Sequence, residues 1–558
     1  MSQVRDRPEI VVDGYPRRRP RWMEIATSAD HKDVGRVLIA ASLGFLFVAL
    51  VELLLMRLQL AIPENTFLSP VTFNRMLSLY GATAIFFFAV PLALGFFYYL
   101  APLQAGARGT ALPRLGQIGL WLYVAGATVL FAGFLYTPSE AGVNPLAPLS
   151  ELTYLPDNGV DAWAAATGLA TLGFTMLAID LVATLHRLRA PGMAWRRLPV
   201  FSWAAGICSW LLLAIGPVML AAIAMLLIDR NFGGIFFAGG AEGAPLLWAH
   251  LSWIFFSGAY MLILIFALAA LAEIVPVFAR RPLAGRNAVI GSLAAIAPLG
   301  TLAWMQNMLT APIGIGWMYF AMAMSLALIV PFGLILFNLI ATMIGGTLHL
   351  RAPLLFAAGA VAAISVGLAA EIEHSMVAVA WRLQHTTDST AATHFALVGG
   401  SVFGGFAALH YWFPKMTGRT MGETLARISF WTTALGTVLA FVPLFLAGGL
   451  EGQVVDAYKY FEGSGVDAYN LVASIGAFVL AIGIVLTLVN AILSRTAGAR
   501  AGHDQWGGDT LEWFVPSPPE PHNFDVLPDV RSERPMRDIR EAIARSAERP
   551  AREAQPVA

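Results

Sequence analysis

Cysteine is almost absent from this sequence, since Cys208 is the only one among 558 residues. A single cysteine excludes an intrachain disulfide framework and any metal cluster built on several thiolates. Charged residues are scarce as well, at 13% of the chain against about 25% in an average soluble domain. Because 35 basic residues balance 35 acidic ones, the net charge gives no indication of a nucleic-acid partner, and we expect none.

Long apolar runs fill the chain instead. Hydrophobic residues make up 58% of it, and the mean hydropathy is +0.68. About 20 apolar residues cross a bilayer as a helix, and this length predicts about twelve spans. They lie at roughly 36–58, 77–103, 116–137, 161–185, 203–228, 246–277, 287–311, 315–346, 353–372, 391–413, 427–449 and 468–493. The sequence therefore predicts an all-α integral membrane protein, a bundle of twelve transmembrane helices.

The distribution of arginine predicts the orientation of this bundle. Residues 1–35 hold four arginines between positions 17 and 21 and lack the apolar core of a signal peptide. Arginine recurs in the turns after even-numbered spans, whereas the opposite turns carry acidic residues such as Glu242. This asymmetry predicts that both termini lie in the cytoplasm and that the chain sits in the cell's inner (plasma) membrane. We expect a basic segment 1–35, a membrane domain 36–494 and a polar, Pro-rich, then charged tail 495–558.

Six stretches of the sequence resemble the landmarks of one membrane family, in its order and spacing. They are SADHKDVGRVLI, AGARGTALPRLGQIGLWL, LLIDRNFGGIFF, WAHLSWIFF, HYWFPKMTGR and WGGDTLEWFVPSPPEPHNF. They are similar to subunit I of the haem–copper oxidases, the catalytic core of cytochrome c oxidases. The resemblance implies that family's twelve-helix bundle, set in a lipid bilayer among other membrane subunits of a respiratory-type complex.

The resemblance also implies metal-binding histidines, and most of the matching positions carry other residues. His394 in AATHFALVGG matches a ligand of the low-spin haem, but Tyr80 stands where its partner histidine is expected. Ala392 stands where the other haem iron needs its protein ligand, and alanine cannot coordinate a metal. Arg57 matches an arginine that the family sets against the low-spin haem.

The positions that the resemblance assigns to copper carry Ser257, Gln306 and Asn307. Neutral carboxamides are poor copper ligands, whereas imidazole suits both copper and iron. We expect Gln306 and Asn307 to fill the space and to tie neighbouring helices by hydrogen bonds. The resemblance thus predicts no cofactor, with copper not expected and one haem between Tyr80 and His394 as the exception.

Each of these residues also has an ordinary structural interpretation. Tyr80 and His394 could hold iron, since tyrosinate ligates some haems, or they could be a packed aromatic and a buried histidine. Glu52 is an ionisable group at membrane depth, and either snorkelling to the nearby membrane surface or pairing with Arg57 would explain it. The group Glu371, Glu373, His374, His385 and Asp388 could bind a metal, but a solvated polar rim is the simpler interpretation.

Three functions remain open at this point. The first is a degenerate, non-catalytic subunit that serves as scaffold or anchor in a respiratory or related redox complex. The second is a functional terminal oxidase core that transfers electrons to oxygen and pumps protons. The third is a pore or a quinone- or lipid-binding protein built on the same bundle. Ligand chemistry favours the first, because haem iron without an axial residue and copper without imidazoles cannot form a binuclear centre, and we assign no catalytic residue.

Overall fold

The computed structural model describes residues 24, 27–239 and 243–553. The four N-terminal arginines and Glu242 lie outside the described residues. Within these ranges, twelve helices are long and apolar enough to cross a membrane, which confirms the predicted fold class. They are His31–Gln59, Pro70–Ala105, Pro113–Tyr136, Gly159–Arg187, Val200–Phe232, Pro245–Ala279, Arg286–Met308, Ile315–Ile344, Ala352–His374, Thr387–Thr417, Glu423–Gly449 and Asp467–Ala497.

Capping residues set two boundaries that hydropathy placed too late. The second span begins at Pro70, because the hydroxyl of Ser69 accepts a hydrogen bond from the amide of Thr72 and proline suits the first helical position. The tenth span begins at Thr387 after the cap residue Thr386. The tenth span opens with the polar residues 387–390, and the second carries Asn74 and Arg75 near its start, so a search for apolar residues begins both spans too late.

The seventh span ends earlier than predicted. Its α-helix stops at Leu302, and the segment Trp304–Met308 forms a tighter 3₁₀ turn. Pro312 lies beyond this turn and disfavours a helical conformation of Ala311, so the helix does not resume there. Gln306 and Asn307 therefore lie at the end of the span, and not within a continuous helix as the sequence suggested.

Three spans form the centre of the bundle. In the second, sixth and tenth spans, 89%, 83% and 78% of the most apolar window is buried, whereas no other span exceeds 56%. These three spans carry Tyr80, Ser257, Ala392 and His394 among the residues singled out by the sequence. The second and tenth spans also each contain a π-helical segment, Thr83–Ala89 and Val398–Gly404. Such segments are rare and often lie at functional sites.

The segment after the twelfth span packs against the bundle. Leu511, Trp513 and Phe524 are buried in the same hydrophobic core as the spans. The buried ammonium of Lys415, at the end of the tenth span, donates to the carbonyl oxygens of His503, Val515 and Pro516. A helix, Pro535–Glu553, completes the described chain.

Candidate functional site

Tyr80 and His394 meet between the second and tenth spans. The Tyr80 hydroxyl lies 3.0 Å from Nε2 of His394, and the two rings are nearly parallel, with centroids 6.2 Å apart. Phe441 of the eleventh span packs on the imidazole at 5.2 Å between ring centroids. The structure therefore brings together the two residues that the sequence paired.

The other nitrogen of His394 fixes the tautomer of the ring. Nδ1 lies 2.8 Å from the carbonyl oxygen of Thr390, one helical turn earlier. A carbonyl oxygen only accepts, so Nδ1 carries the proton of the neutral ring and Nε2 keeps its lone pair. The hydroxyl of Tyr80 therefore donates to Nε2. Metal-binding histidines commonly show this arrangement, with the second nitrogen donating to a carbonyl group.

Arg57 is buried and bonded to the twelfth span. One of its terminal nitrogens, Nη2, donates to the carbonyl and side-chain oxygens of Asn470, at 3.0 and 3.2 Å, and to the hydroxyl of Ser474 at 3.3 Å. Its Nε has no hydrogen-bond partner among the described residues. The suggested pairing with Glu52 is wrong, because the Glu52 carboxylate accepts from Thr83 instead. Five residues along a helix rotate by about 500°, one full turn plus about 140°. The two side chains therefore point to different sides of the first span.

Gln306 ties three elements together. Its amide nitrogen donates to the carbonyl and carboxylate oxygens of Glu371, at 3.1 and 3.3 Å. Its amide oxygen accepts from the hydroxyl of Ser325 in the eighth span, at 2.5 Å. The Glu371 carboxylate also accepts from Thr393, the residue before His394. The predicted role of Gln306 in linking helices is confirmed by these contacts.

Asn307 and Ser257 form a weaker contact. The Asn307 amide is exposed and donates to the hydroxyl of Ser257 at 3.3 Å. Nearby on the sixth span, His250 accepts a hydrogen bond from Trp304 at 3.1 Å, while the buried Tyr260 hydroxyl has no partner among the described residues. The positions matched to copper ligands thus contact one another or their neighbours through ordinary polar bonds.

Ala392 is a packing residue in this structure. Its side chain is fully buried, and the tenth span lies directly against the ninth at this level. A Cβ atom added to Gly367 of the ninth span would lie 2.9 Å from the carbonyl oxygen of Ala392 and 2.5 Å from the amide of Ala396. Contacts under 3.0 Å leave no room for a larger side chain at Gly367.

The acidic and histidine group at the end of the ninth span divides into separate pairs. His374 and Asp388 share a partly buried hydrogen bond of 2.6 Å, while His385 lies 2.8 Å from the hydroxyl of Thr310. Within the described ranges, no three His, Cys, Asp or Glu side chains form a group able to hold a metal ion. His374 is buried, so the interpretation as a solvated rim is wrong for this residue.

The donor atoms of Tyr80 and His394 are of types that bind haem iron, but the gap between them is too small to hold it. A metal ion held by both donors would occupy the space that their shared hydrogen bond fills in this structure. Here they stand 3.0 Å apart and share a hydrogen bond. A haem at this position therefore requires the second and tenth spans, or the two side chains, to separate.

Comparisons with known proteins place this bundle in a family. The family model for cytochrome c and quinol oxidase polypeptide I matches residues 33–479. Cytochrome c oxidase subunit 1 of Bacillus subtilis is 34% identical over 513 residues, which cover 91% of this chain and 82% of the relative. A heme-copper oxidase subunit I+III of Aeropyrum pernix is 34% identical over 516 residues, covering 92% of this chain and 62% of the relative.

A solved structure shares the fold. The cryo-EM structure of a heme-copper terminal oxidase dimer superposes with a TM-score of 0.70 at 14% identity, over 86% of this chain and 84% of the other. The chain belongs to the haem–copper oxidase subunit I family. The resemblance seen in the sequence is therefore confirmed.

Family membership corrects one expectation from the sequence. The expectation of no cofactor, with copper not expected, is overturned because the chain belongs to a family whose members are named for haem and copper. The expectation relied on a count of histidines. Iron also accepts tyrosinate, thiolate and thioether ligands, so missing imidazoles do not establish missing cofactors.

Sequence reasoning missed the supporting residues of the site. Thr390 fixes the His394 tautomer through its carbonyl group, and Thr393 donates to Glu371 of the ninth span. The first of these follows from helical geometry, since a carbonyl four residues earlier lies within reach of a histidine ring. The second joins two spans, and the local pattern gives no signal for it.

Proposed function

We propose that this chain is a membrane subunit of a respiratory or related redox complex that keeps the subunit I scaffold and does not itself reduce oxygen. The observation that carries the proposal is the engagement of Gln306. Both ends of its amide are already bonded within the protein, to Glu371 and Ser325. Ala392, two residues before His394, offers no donor atom at all. The chain could bind a haem and still not reduce oxygen.

A haem would be held by Tyr80 and His394. The lone pair of His394 Nε2 and the phenolic oxygen of Tyr80 lie on two central spans and point at each other. A haem bound there would supply one-electron transfer. Arg57 supports the region from the first span through its bonds to Asn470.

Two measurements on the purified protein test the proposal together. The first is oxygen uptake with reduced cytochrome c or a quinol as electron donor, and we expect none above the detergent blank. The second is a reduced-minus-oxidised optical spectrum with metal analysis. Oxygen uptake that persists after purification would overturn the scaffold proposal, whatever the spectrum shows.

A matched pair of variants assigns any haem signal. His394→Ala removes the Nε2 atom that faces Tyr80. His410 lies later in the same span, is buried, and also bonds through Nδ1 to a carbonyl one turn earlier, at 2.7 Å, but its Nε2 has no partner among the described residues. We expect a haem band to disappear in His394→Ala and to persist in His410→Ala. Loss in both variants would indicate a general folding defect.

A functional terminal oxidase is the second candidate. The family match over residues 33–479 favours it, as does the name of the Bacillus subtilis relative. Such an enzyme would show two haems and copper in the same metal analysis. It would also consume oxygen with one of the two electron donors.

The orientation and division of the chain form part of the proposal. Segments 1–35 and 495–558 would face the cytoplasm, with the membrane domain 36–494 between them in the inner membrane. Cys208 is buried, so a membrane-impermeant maleimide should report single cysteines placed in exposed turns. We expect intact cells to protect Arg108→Cys and to allow labelling of Thr137→Cys, and the reverse pattern would invert the topology.

A further inference from the structure

We propose that a basic pocket between the fourth and fifth spans binds the phosphate of an anionic phospholipid headgroup. The pocket encloses a cavity of about 780 Å³ where the fourth span ends and the loop to the fifth begins. The loop and the segment after the twelfth span supply its walls. Its charged lining consists of Arg187, Arg189, Arg196, Arg197, Arg531 and Glu533.

Most of the positive charge of the pocket is not neutralised by carboxylates in the described part of the chain. Arg187, Arg189 and Arg196 form no ion pair with a carboxylate in the described part of the chain. One terminal nitrogen of Arg189, Nη1, is buried there without a hydrogen-bond partner. Arginine presents several N–H donors in a planar fork, a geometry that matches phosphate oxygens. The pocket therefore offers unused donors of the type that recognises a phosphate.

Two nearby carboxylates are already paired, one with Arg286 outside the lining and one with Arg531 within it. Glu533 forms an ion pair with Arg286 at 3.3 Å, and Asp529 forms one with Arg531 at 3.2 Å. Arg286 also donates to the carbonyl oxygens of Arg196 and Leu198. The excess positive charge thus comes from the fourth span and its loop, and a ligand has to supply the opposite charge.

The walls of the pocket are braced. The guanidinium of Arg197 donates through one nitrogen to the carbonyl oxygens of Gly192 and Val530, at 2.9 and 2.8 Å. The amide of Val530 donates to the carbonyl of Pro191 at 3.2 Å. A Cβ atom at Gly192 would lie 2.3 Å from the Val530 carbonyl oxygen, and its φ of +79° also favours glycine. The pocket is therefore preformed, which reduces the entropic cost of binding.

Tryptophans place the pocket at the surface of the membrane. Arg189 stacks on Trp195 at 4.3 Å, and His186 contacts Trp195 and Trp210 at 4.9 and 6.1 Å between ring centroids. Trp210 is 55% exposed on the outer face of the fifth span. Tryptophan concentrates at the membrane–water interface, and basic pockets between spans at that depth bind lipid headgroups. These neighbours favour a lipid phosphate over a free one.

Native mass spectrometry of the full chain in detergent tests this proposal. Phosphatidylglycerol, phosphatidylcholine and inorganic phosphate are titrated separately. We expect phosphatidylglycerol to bind and the other two to bind at least about tenfold more weakly. Phosphatidylcholine lacks the net negative charge, and inorganic phosphate lacks the acyl chains. Inorganic phosphate that binds as tightly as phosphatidylglycerol would overturn the lipid assignment.

Paired variants separate the pocket from general surface charge. The double variant Arg189→Gln/Arg196→Gln should weaken phosphatidylglycerol binding about tenfold or more. The control is Arg108→Gln/Arg114→Gln, which removes the same charge from two exposed arginines beside the third span that also lack ion pairs among the described residues. We expect the control to bind within about twofold of the original chain. Equal losses in both variants, or no loss in either, would overturn the proposal.

Discussion

The hydroxyl of Tyr80 donates to Nε2 of His394 across 3.0 Å. This hydrogen bond joins the second and tenth spans through two residues that are 314 positions apart in the chain. Both spans continue into π-helical segments, which begin three residues after Tyr80 and four after His394. The contact therefore lies where both central helices change their pitch. It is a polar contact between two largely buried spans, where alternative partners are few.

Removing the hydroxyl of this pair should destabilise the bundle. Tyr80→Phe keeps the ring and leaves the His394 acceptor without its donor, which should cost about 1 kcal/mol. The measurement is a thermal unfolding curve in detergent. A double-mutant cycle with His394→Ala isolates the contact, because the second substitution should then add less than its own separate effect. Additive effects would mean that the two side chains do not interact.

Gln306 and Asn307 should differ sharply despite being adjacent carboxamides. Gln306→Ala removes donors and acceptors that bond Glu371 and Ser325, so we expect a loss of about 2 kcal/mol in unfolding free energy. Asn307→Ala is the control, because that side chain is exposed and its bonds are long. Its expected loss is below about 0.5 kcal/mol. Similar losses would show that the Glu371 contact contributes nothing specific.

Asn523 should hold the segment after the twelfth span in place. Its side chain contacts His31 and Lys32 and donates to the carbonyl of Ala107, and its φ of +58° is left-handed. Asn523→Ala should release the segment, measured as faster trypsin cleavage after residue 500. Asn523→Gly removes the same hydrogen bonds without backbone strain, and should be more stable than Asn523→Ala by about 1 kcal/mol. Equal cleavage of all three chains would contradict this role.

Glu512 should make stability depend on pH. Burial raises the pKa of its carboxyl, although hydrogen bonds from Gln104 and Trp412 act in the opposite direction. Glu273 and Lys415 are close enough for their charges to act on it. The native state therefore binds this proton more tightly than the unfolded chain does, whose glutamate pKa is about 4.3. Stability from this group is full below that value and falls as pH rises through the native pKa.

Glu512→Gln tests this pH dependence. Unfolding temperatures are compared from about pH 5 to about pH 8, and the variant should lose less stability than the original chain over this range. Glu520→Gln serves as the control, since that side chain is exposed in the same segment and its charge stays solvated. Parallel curves for Glu512→Gln and the original chain would refute the prediction.

Much of the fold was predictable because a membrane imposes simple rules. Backbone groups in hydrocarbon must bond internally, so apolar runs of sufficient length become helices. The twelve spans follow from this rule alone. The pairing of Tyr80 with His394 followed from the family resemblance, and the structure places them in contact.

The remainder depended on interactions between distant residues. The seventh α-helix ends at Leu302 and gives way to a 3₁₀ turn. Hydropathy does not detect this change, because the sequence stays largely apolar across it. The docking of Trp513 and Phe524 on the bundle depends on buried partners such as Lys415, and a polar, Pro-rich sequence conceals it. Arg57 bonds to Asn470, more than four hundred residues away, and no pattern within the first span indicates that partner.

The brace from Arg197 to Val530 has a consequence for how the protein matures. One wall of the basic pocket is made of residues that follow all twelve spans in the sequence, so they are translated last. A newly inserted chain would therefore lack a complete basic pocket until these residues have been translated. A lipid bound in the basic pocket would therefore distinguish fully folded chains from chains that are still being inserted into the bilayer.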